Sequence, residues 1–338
     1  MFLRIFFSAF FLCAALQVPA QLKRFSFTES KMGAPFNIVL FCDDSIKASQ
    51  VAKQSFNLVD SFVLIFSDYI DSSELVKLSN TAVANASPAF VSPALFDILI
   101  LSKKAFDKSH GAFDITMGPL TKLWRKSRKE KIFPADEAVQ EKRKLTGFNK
   151  MLIDTVEKKI TLTKPGMQLD LGGIAQGYIA QKIIDFLRTQ NIDHALVNAS
   201  GDIVMSDAPP GTKGWTVGIN VPETTDELLP QTLLLHNMAV TTSGDAYQFM
   251  EHNGKRYSHI IDPRTGYGVT SQRNVTVIAN DGTAADWLAT ACSILSIKKA
   301  KKLAAKMNAV VLITENKNGK IKFYSSKNFT RYFKQAVQ

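Results

Sequence analysis

Val310-Val311-Leu312-Ile313-Thr314, then Asn318-Gly319, then Ile321-Lys322-Phe323-Tyr324 are two β-rich runs joined through an Asn-Gly pair. Asn-Gly readily supplies the two positive-φ residues of a tight hairpin turn, so the runs read as neighbouring antiparallel strands. Two helical segments, Thr283–Leu295 and Ile297–Met307, stand directly before them. Working outward, strand-like runs recur at Trp215–Ile219, Thr232–Leu235, Ala239–Thr242, Tyr257–Ile261 and Val275–Ala279, with a second hairpin signal at Asn253-Gly254. Nearer the N-terminus, Asn37–Phe41 reads as a strand. Apolar residues at Val51, Phe56, Val59, Phe62 and Phe66 then give a helix over Ile46–Phe66. A short helix follows near Ser73–Leu78, and a long one opens at Pro93 and stops near His110-Gly111.

Between them and the C-terminal half, Leu152-Ile153, Lys159–Thr163 and Met167–Leu171 read as short strands. Asp136–Leu145 is a polar helical segment, and Ile174–Asn191 a helix that begins directly after Gly172-Gly173. Phe113–Trp124 lies between the Pro93 helix and that polar segment. Hairpin-linked strands among long helices indicate an α+β fold with mixed, largely antiparallel sheets and packed helices.

The chain has 338 residues, enough to bury a substantial core, and its 46% hydrophobic and 21% charged residues are ordinary for a globular enzyme. A net charge of +11 would suit an anionic partner. The lysine-rich runs Lys122–Lys131, Lys142–Lys150 and Lys298–Lys306 lack aromatic interleaving, so they read as solvated surface rather than a nucleic-acid interface. Arg4, the apolar stretch Ile5–Leu16 and Val18-Pro19-Ala20 have the shape of a cleavable secretory signal. The apolar part is shorter than the roughly 20 residues of a spanning helix, and Leu12 before Cys13 is too bulky for a lipid-attachment motif. Residues 1–20 are therefore expected to be removed, leaving one exported domain over 21–338. Cys42 and Cys292 lie in apolar segments; buried thiols are favoured there over a bridge, although spacing does not fix pairing.

Six segments carry polar chemistry. In Asp170-Leu171-Gly172-Gly173-Ile174-Ala175-Gln176-Gly177-Tyr178 a chain turns through paired glycines into a helix, where free N–H groups favour an anion. Paired glycines also make ordinary turns. In Thr283–Ala291, Asp286 and Thr290 share one face of an otherwise apolar helix. Such oxygens suit magnesium, yet a buried carboxylate can equally serve as a cap or an ion-pair partner. His259-Ile260-Ile261-Asp262-Pro263-Arg264-Thr265-Gly266 joins turn formers to a histidine able to accept a proton. Phe113-Asp114, Asn198–Asp202 and Ser243-Gly244-Asp245 each set a polar group near glycine, as pocket loops and plain turns both do.

Taken in order, Met32-Gly33, Ser67-Asp68-Tyr69, Ala112-Phe113-Asp114 with Gly118-Pro119-Leu120, Asp170–Tyr178, Val197–Asp202, Thr242–Asp245, His259–Gly266 and Ala285–Ala291 resemble the ApbE family of FAD:protein FMN transferases. The resemblance runs from about Phe25 to about Tyr324. It implies a compact architecture related to the T-fold and a magnesium-dependent transfer of FMN from FAD to a threonine or serine of another protein, with release of AMP. It also implies that Met32, Tyr69, Ala112, Phe113, Asp114, Gln176 and His259 contact FAD. The Gly173 carbonyl, Asp286 and Thr290 would hold magnesium, and His259 would be the catalytic base. Implied clients are exported or membrane-bound flavoproteins, such as subunits of NADH:quinone oxidoreductase, met in the periplasm or at the outer face of the inner membrane. The chain departs from the family pattern at Gln176, where lysine is usual, at Ser79, where asparagine is common, and in the displaced aromatic Tyr247. Hydrolysis of FAD to FMN and AMP, or FAD binding without turnover, are the competing expectations.

Overall fold

The computed structural model describes residues 21–219, 229–244, 248–317 and 319–335. The expected signal segment 1–20, Asp245, Tyr247 and Asn318 lie outside the described residues.

One sheet organises the molecule. Its eight strands are β1 (Lys23–Lys31), β2 (Ala34–Cys42), β3 (Ala195–Ala199), β4 (Asp202–Met205), β5 (Met238–Ser243), β6 (Arg273–Ala279), β7 (Val310–Lys317) and β8 (Lys320–Ser325). They lie side by side in chain order, and every neighbouring pair is antiparallel. The α+β expectation with largely antiparallel pairing is borne out, and the opening hairpin is the β7–β8 edge.

Alternation along each strand divides the core. Ile38 and Leu40 of β2, Val275 and Val277 of β6, and Val311 and Ile313 of β7 enter the large helix-side cluster. Their neighbours Val39, Ile278 and Leu312 enter a smaller cluster on the other face, closed by Trp215, Leu233 and Phe329. This is the two-residue period of a sheet covered on both sides.

The helices are α1 (Ser45–Phe66), α2 (Glu74–Asn80), α3 (Pro93–Ser109), α4 (Gly118–Glu130), α5 (Asp136–Arg143), α6 (Ala175–Thr189), α7 (Gly282–Ile294) and α8 (Ile297–Lys306). Ser92 caps α3 through its hydroxyl, with Pro93 in the first turn, and α3 ends on His110 and Gly111, both at positive φ. Cys42 and Cys292 are buried free thiols, as their apolar settings led us to expect.

Two expected strands are corrected. Met167–Leu171 forms no ladder, because the Leu169 N–H donates to Ser79 Oγ at 3.2 Å and the Asp170 N–H to the Ile115 carbonyl at 2.8 Å. The strand expected over Tyr257–Ile261 occupies Lys255–Ser258 instead, pairing with Phe249–His252. His259 is thereby released into a loop. Phe113–Trp124 holds a short 3₁₀ turn followed by the first half of α4.

Candidate active site

The site forms where α6 and α7 cross at two glycines. A Cβ added to Gly177 would overlap the Gly282 carbonyl oxygen, and one added to Gly282 would overlap that of Gly177. Glycine at both positions lets the backbones touch. The approach has an electrostatic result. No side chain caps α6 from within its own N-terminal segment. Instead Asp286, one turn into α7, accepts the Gly177 N–H on Oδ2 at 2.9 Å. Asp286 thus satisfies one of the orphan donors of a helix start.

The same crossing brings the glycine turn against Thr290. A Cβ on Gly173 would stand 2.9 Å from Thr290 Oγ1 and 3.3 Å from the Phe113 ring. Among the described residues nothing hydrogen-bonds the Gly173 N–H, while Asp170 Oδ1 accepts that of Gly172 at 2.7 Å. The structure therefore brings Gly173 and Phe113, distant in sequence, to the helix that carries Asp286 and Thr290. Asp286 also performs the capping duty that was its competing reading; no arginine pairs with it among the described residues.

Asp286 is 5% exposed, and burial raises its carboxyl well above the usual range, with the charge of Asp202 adding to the effect and the Gly177 N–H opposing it. Asp202, at the start of β4, is pushed up to about 6 by burial, against a hydrogen bond from Thr241. Among the described residues its Oδ1 is buried without a hydrogen-bond partner. Two buried carboxylates, one with an orphaned oxygen, beside a hydroxyl and an open turn fit a hard divalent cation such as magnesium. Among the described residues no group of three or more His, Cys, Asp or Glu could hold a metal, so backbone and hydroxyl oxygens would have to complete the ligand set of an ion here.

A second wall comes from α4. Arg125 Nη1 lies 2.9 Å from Asp68 Oδ2, and its Nη2 is 3.8 Å from Asp170 Oδ2. Its guanidinium stacks 3.9 Å above the Tyr69 ring, which is otherwise exposed. Trp124 Nε1 donates to the Gly266 carbonyl at 2.8 Å, pinning α4 to the loop that carries His259. His259 Nδ1 is 3.2 Å from the Gln248 carbonyl. A carbonyl only accepts, so Nδ1 carries the proton and Nε2 presents its lone pair. Burial, then the nearby Arg128 charge, lower the His259 pKa to about 4, while the Gln248 carbonyl and Asp170 oppose them.

Arg125 and Arg128 were missed by the sequence analysis, which treated the Lys122–Lys131 run as solvated surface. Lys126 and Lys129 are exposed as that reading requires, but the two arginines are half-buried. The remaining expected residues are placed less centrally. Ala112 is buried, and Asp114 spends one oxygen on the N–H (2.8 Å) and hydroxyl (2.7 Å) of Thr116. Gln176 is half-buried in the first turn of α6. Met32 forms the tip of the β1–β2 hairpin with φ 54°, and among the described residues no hydrogen bond or ring contact ties it to the others.

The sheet, the two-glycine crossing and an open turn beside paired carboxylates together define an α+β enzyme of the flavin-transferase class when set beside proteins of like sequence. The chain belongs to the ApbE family, whose model matches residues 32–313. It is 31% identical to the FAD:protein FMN transferase of Klebsiella pneumoniae, over 81% of this chain and 84% of that one. It is also 31% identical to the enzyme of that name from Haemophilus influenzae, over 88% of each. The structure of the Pseudomonas stutzeri flavinyl transferase ApbE superposes with a TM-score of 0.82 at 25% identity, covering 94% of this chain and 99% of that one. The family resemblance and the expectation of a transferase are borne out.

Proposed function

We propose that residues 21–338 form an exported, magnesium-dependent transferase that moves FMN from FAD to a threonine or serine of a client flavoprotein. Relatives named for this activity support the reaction class. The observation that carries it at the level of residues is the meeting of Gly173 with Thr290 at the α6 start that Asp286 caps.

The Gly173 carbonyl, Asp286 and Thr290 would hold the magnesium, with Asp202 adding negative charge behind them. Bound there, the ion would neutralise charge on the FAD pyrophosphate. The free Gly173 N–H and the α6 dipole favour phosphate oxygens at the same place. Tyr69, Met32, Gln176 and the Ala112-Phe113-Asp114 segment serve the rest of the dinucleotide. His259, neutral and with Nε2 free, takes the proton of the acceptor hydroxyl. The acceptor oxygen then bonds to the FMN-side phosphorus, the bond from that phosphorus to the bridging oxygen breaks, and AMP leaves. Positioning and electrostatics supply most of the rate in such transfers. Subunits of NADH:quinone oxidoreductase and related electron-transport proteins are the clients proposed. Among the described residues no helix is long and apolar enough to cross a membrane.

The test is co-expression with a client carrying a Ser/Thr-Gly-Ala-Ser/Thr segment, followed by mass spectrometry. FMN mass on that segment is expected with the native chain and not with Asp286→Ala. FAD splitting to FMN and AMP at full rate, with no client labelled, would replace transfer by hydrolysis. A chain that keeps residues 1–20 and stays in the cytoplasm would overturn the export assignment, whereas a cleaved N-terminus other than Gln21 would move only the cleavage site.

A further inference from the structure

The two arginines of α4 differ in their surroundings. Arg125 is satisfied: Asp68 at 2.9 Å, Asp170 at 3.8 Å and the Tyr69 ring at 3.9 Å surround its guanidinium. Arg128, one helical turn further, is half-buried on the same side. Among the described residues no carboxylate lies within ion-pair distance of it and its side chain makes no hydrogen bond. Its electrostatic neighbours are a like charge, Arg125, a neutral phenol, Tyr69, and the imidazole of His259.

A partly desolvated guanidinium beside another is unfavourable unless an anion completes it. Burial and Arg125 accordingly hold Arg128 below its ordinary pKa. The helix cannot swing the charge away easily, because Trp124 is 1% exposed and bonded to Gly266. Asp170, which Arg125 reaches, lies only two residues before the Gly172-Gly173 turn and holds the Gly172 N–H. The unpaired charge is therefore built into the wall that carries Tyr69, Asp170 and His259.

We propose that Arg128 is the receiving residue of a second anion subsite, which takes a phosphate oxygen of the bound flavin nucleotide. This rests on the functional reading above. A planar guanidinium can donate two parallel hydrogen bonds to a phosphate, and Arg125, held by two carboxylates, keeps the neighbouring wall rigid. An acidic client side chain is the competing occupant. The half-burial of Arg128 beside Tyr69 and His259, rather than among the exposed lysines of α4, favours the nucleotide.

The experiment titrates FAD, FMN, riboflavin and inorganic pyrophosphate into the full chain with EDTA present, using flavin fluorescence and calorimetry. Native protein, Arg128→Gln and Arg128→Lys are compared, with thermal midpoints recorded for each. Arg128→Gln is expected to weaken FAD and FMN about 10- to 100-fold, the range for a hydrogen bond to a charged group. Riboflavin affinity and the midpoint should stay unchanged, and Arg128→Lys should recover part of the loss. Equal FAD and FMN affinity in native and Arg128→Gln protein would overturn the subsite. So would an equal loss for riboflavin, or a change confined to the KM for the client. Native protein that binds no FAD either in EDTA or with magnesium added would overturn the functional reading instead. Pyrophosphate binding that depends on Arg128 would then still uphold the anion subsite.

Discussion

The Gly177 N–H donates to Asp286 Oδ2 at 2.9 Å, so the carboxylate proposed for magnesium is also the cap of the helix that presents the glycine turn. Capping and metal binding, which stand as alternatives in the sequence, are compatible uses of one side chain with two oxygens.

Replacing Asp286 by asparagine separates the two uses. The amide oxygen can still accept the Gly177 N–H, while the repulsion from Asp202 is removed. FMN transfer is expected to fall at least about 100-fold, the scale on which loss of a catalytic charge acts. The thermal midpoint in EDTA should hold or rise. A midpoint several degrees lower, with transfer retained, would contradict this division.

The two glycines of the α6 start should respond differently to alanine. At Gly177 the new Cβ overlaps backbone, the Gly282 carbonyl, and lies 2.7 Å from Asp286 Cβ. The α6–α7 crossing must open, at a cost of about 1–3 kcal/mol for such overpacking. At Gly173 the Cβ meets the Thr290 hydroxyl at 2.9 Å and a ring edge at 3.3 Å. Gly173→Ala should fold with a near-native midpoint yet lose magnesium affinity. Denaturant titration and magnesium calorimetry on both variants check the contrast.

Magnesium affinity should rise with pH. Asp202 is raised to about 6 and Asp286 well above its ordinary value, and ligand carboxylates must ionise to hold a cation. Without metal the sign for folding is opposite. These groups bind protons more tightly in the folded chain, so their contribution is complete below the unfolded carboxylate pKa and is lost as pH rises through the folded values. Metal-free protein should therefore lose stability from this pair between about pH 4 and pH 6 and above, as seen against carboxylate values near 3.9 in unfolded chains. Added magnesium should cancel the loss at high pH. Melting curves at several pH values with EDTA or magnesium measure both effects.

His259 titrates in the other sense. With a folded pKa of about 4 it is neutral at ordinary pH, and protons bind it more readily in the unfolded chain. Its share of stability is full above about 6.5, the unfolded value, and is lost as pH falls toward 4. The acid limb of FMN transfer due to His259 should accordingly lie well below 6.5. Because Arg128 contributes to the depression, Arg128→Gln should move that limb upward. An unshifted limb would mean that the limb does not report His259.

Trp124→Phe should cost about 1–3 kcal/mol, the range for leaving a buried acceptor, here the Gly266 carbonyl, unsatisfied. It should also raise the KM for FAD, because the bond joins α4 to the His259 loop. Urea denaturation and initial rates at varied FAD measure the two consequences.

Much of the fold was legible because local signals agreed with the tertiary answer. The 3.6-residue spacing of Val51, Phe56, Val59 and Phe62 gave α1, and Pro93 with His110-Gly111 bounded α3. At Asn253-Gly254 both residues adopt the positive φ that the hairpin reading required. Met167–Leu171 misled because its apolar residues imitate a buried strand, whereas its N–H groups go to Ser79 and to Ile115. Arg125 and Arg128 were invisible for a related reason. A basic run shows its charge in sequence but not which members the helix turns inward, and here Trp124 and the His259 loop decide that.

By itself, then, the sequence determined the antiparallel α+β plan, the family, and which residues were candidates for metal and nucleotide. Those are matters of period, turn chemistry and motif order, carried by neighbours along the chain. Only the tertiary structure decided that Gly173 meets Thr290, that Asp286 caps α6, that Asp202 stands behind it, and that Arg128 is left without a counter-charge among the described residues. Each depends on close approach between segments tens to more than a hundred residues apart, permitted at the α6–α7 crossing by two glycines without side chains. Electrostatic coupling at such range along the chain is set by burial and distance in space, which no local pattern encodes.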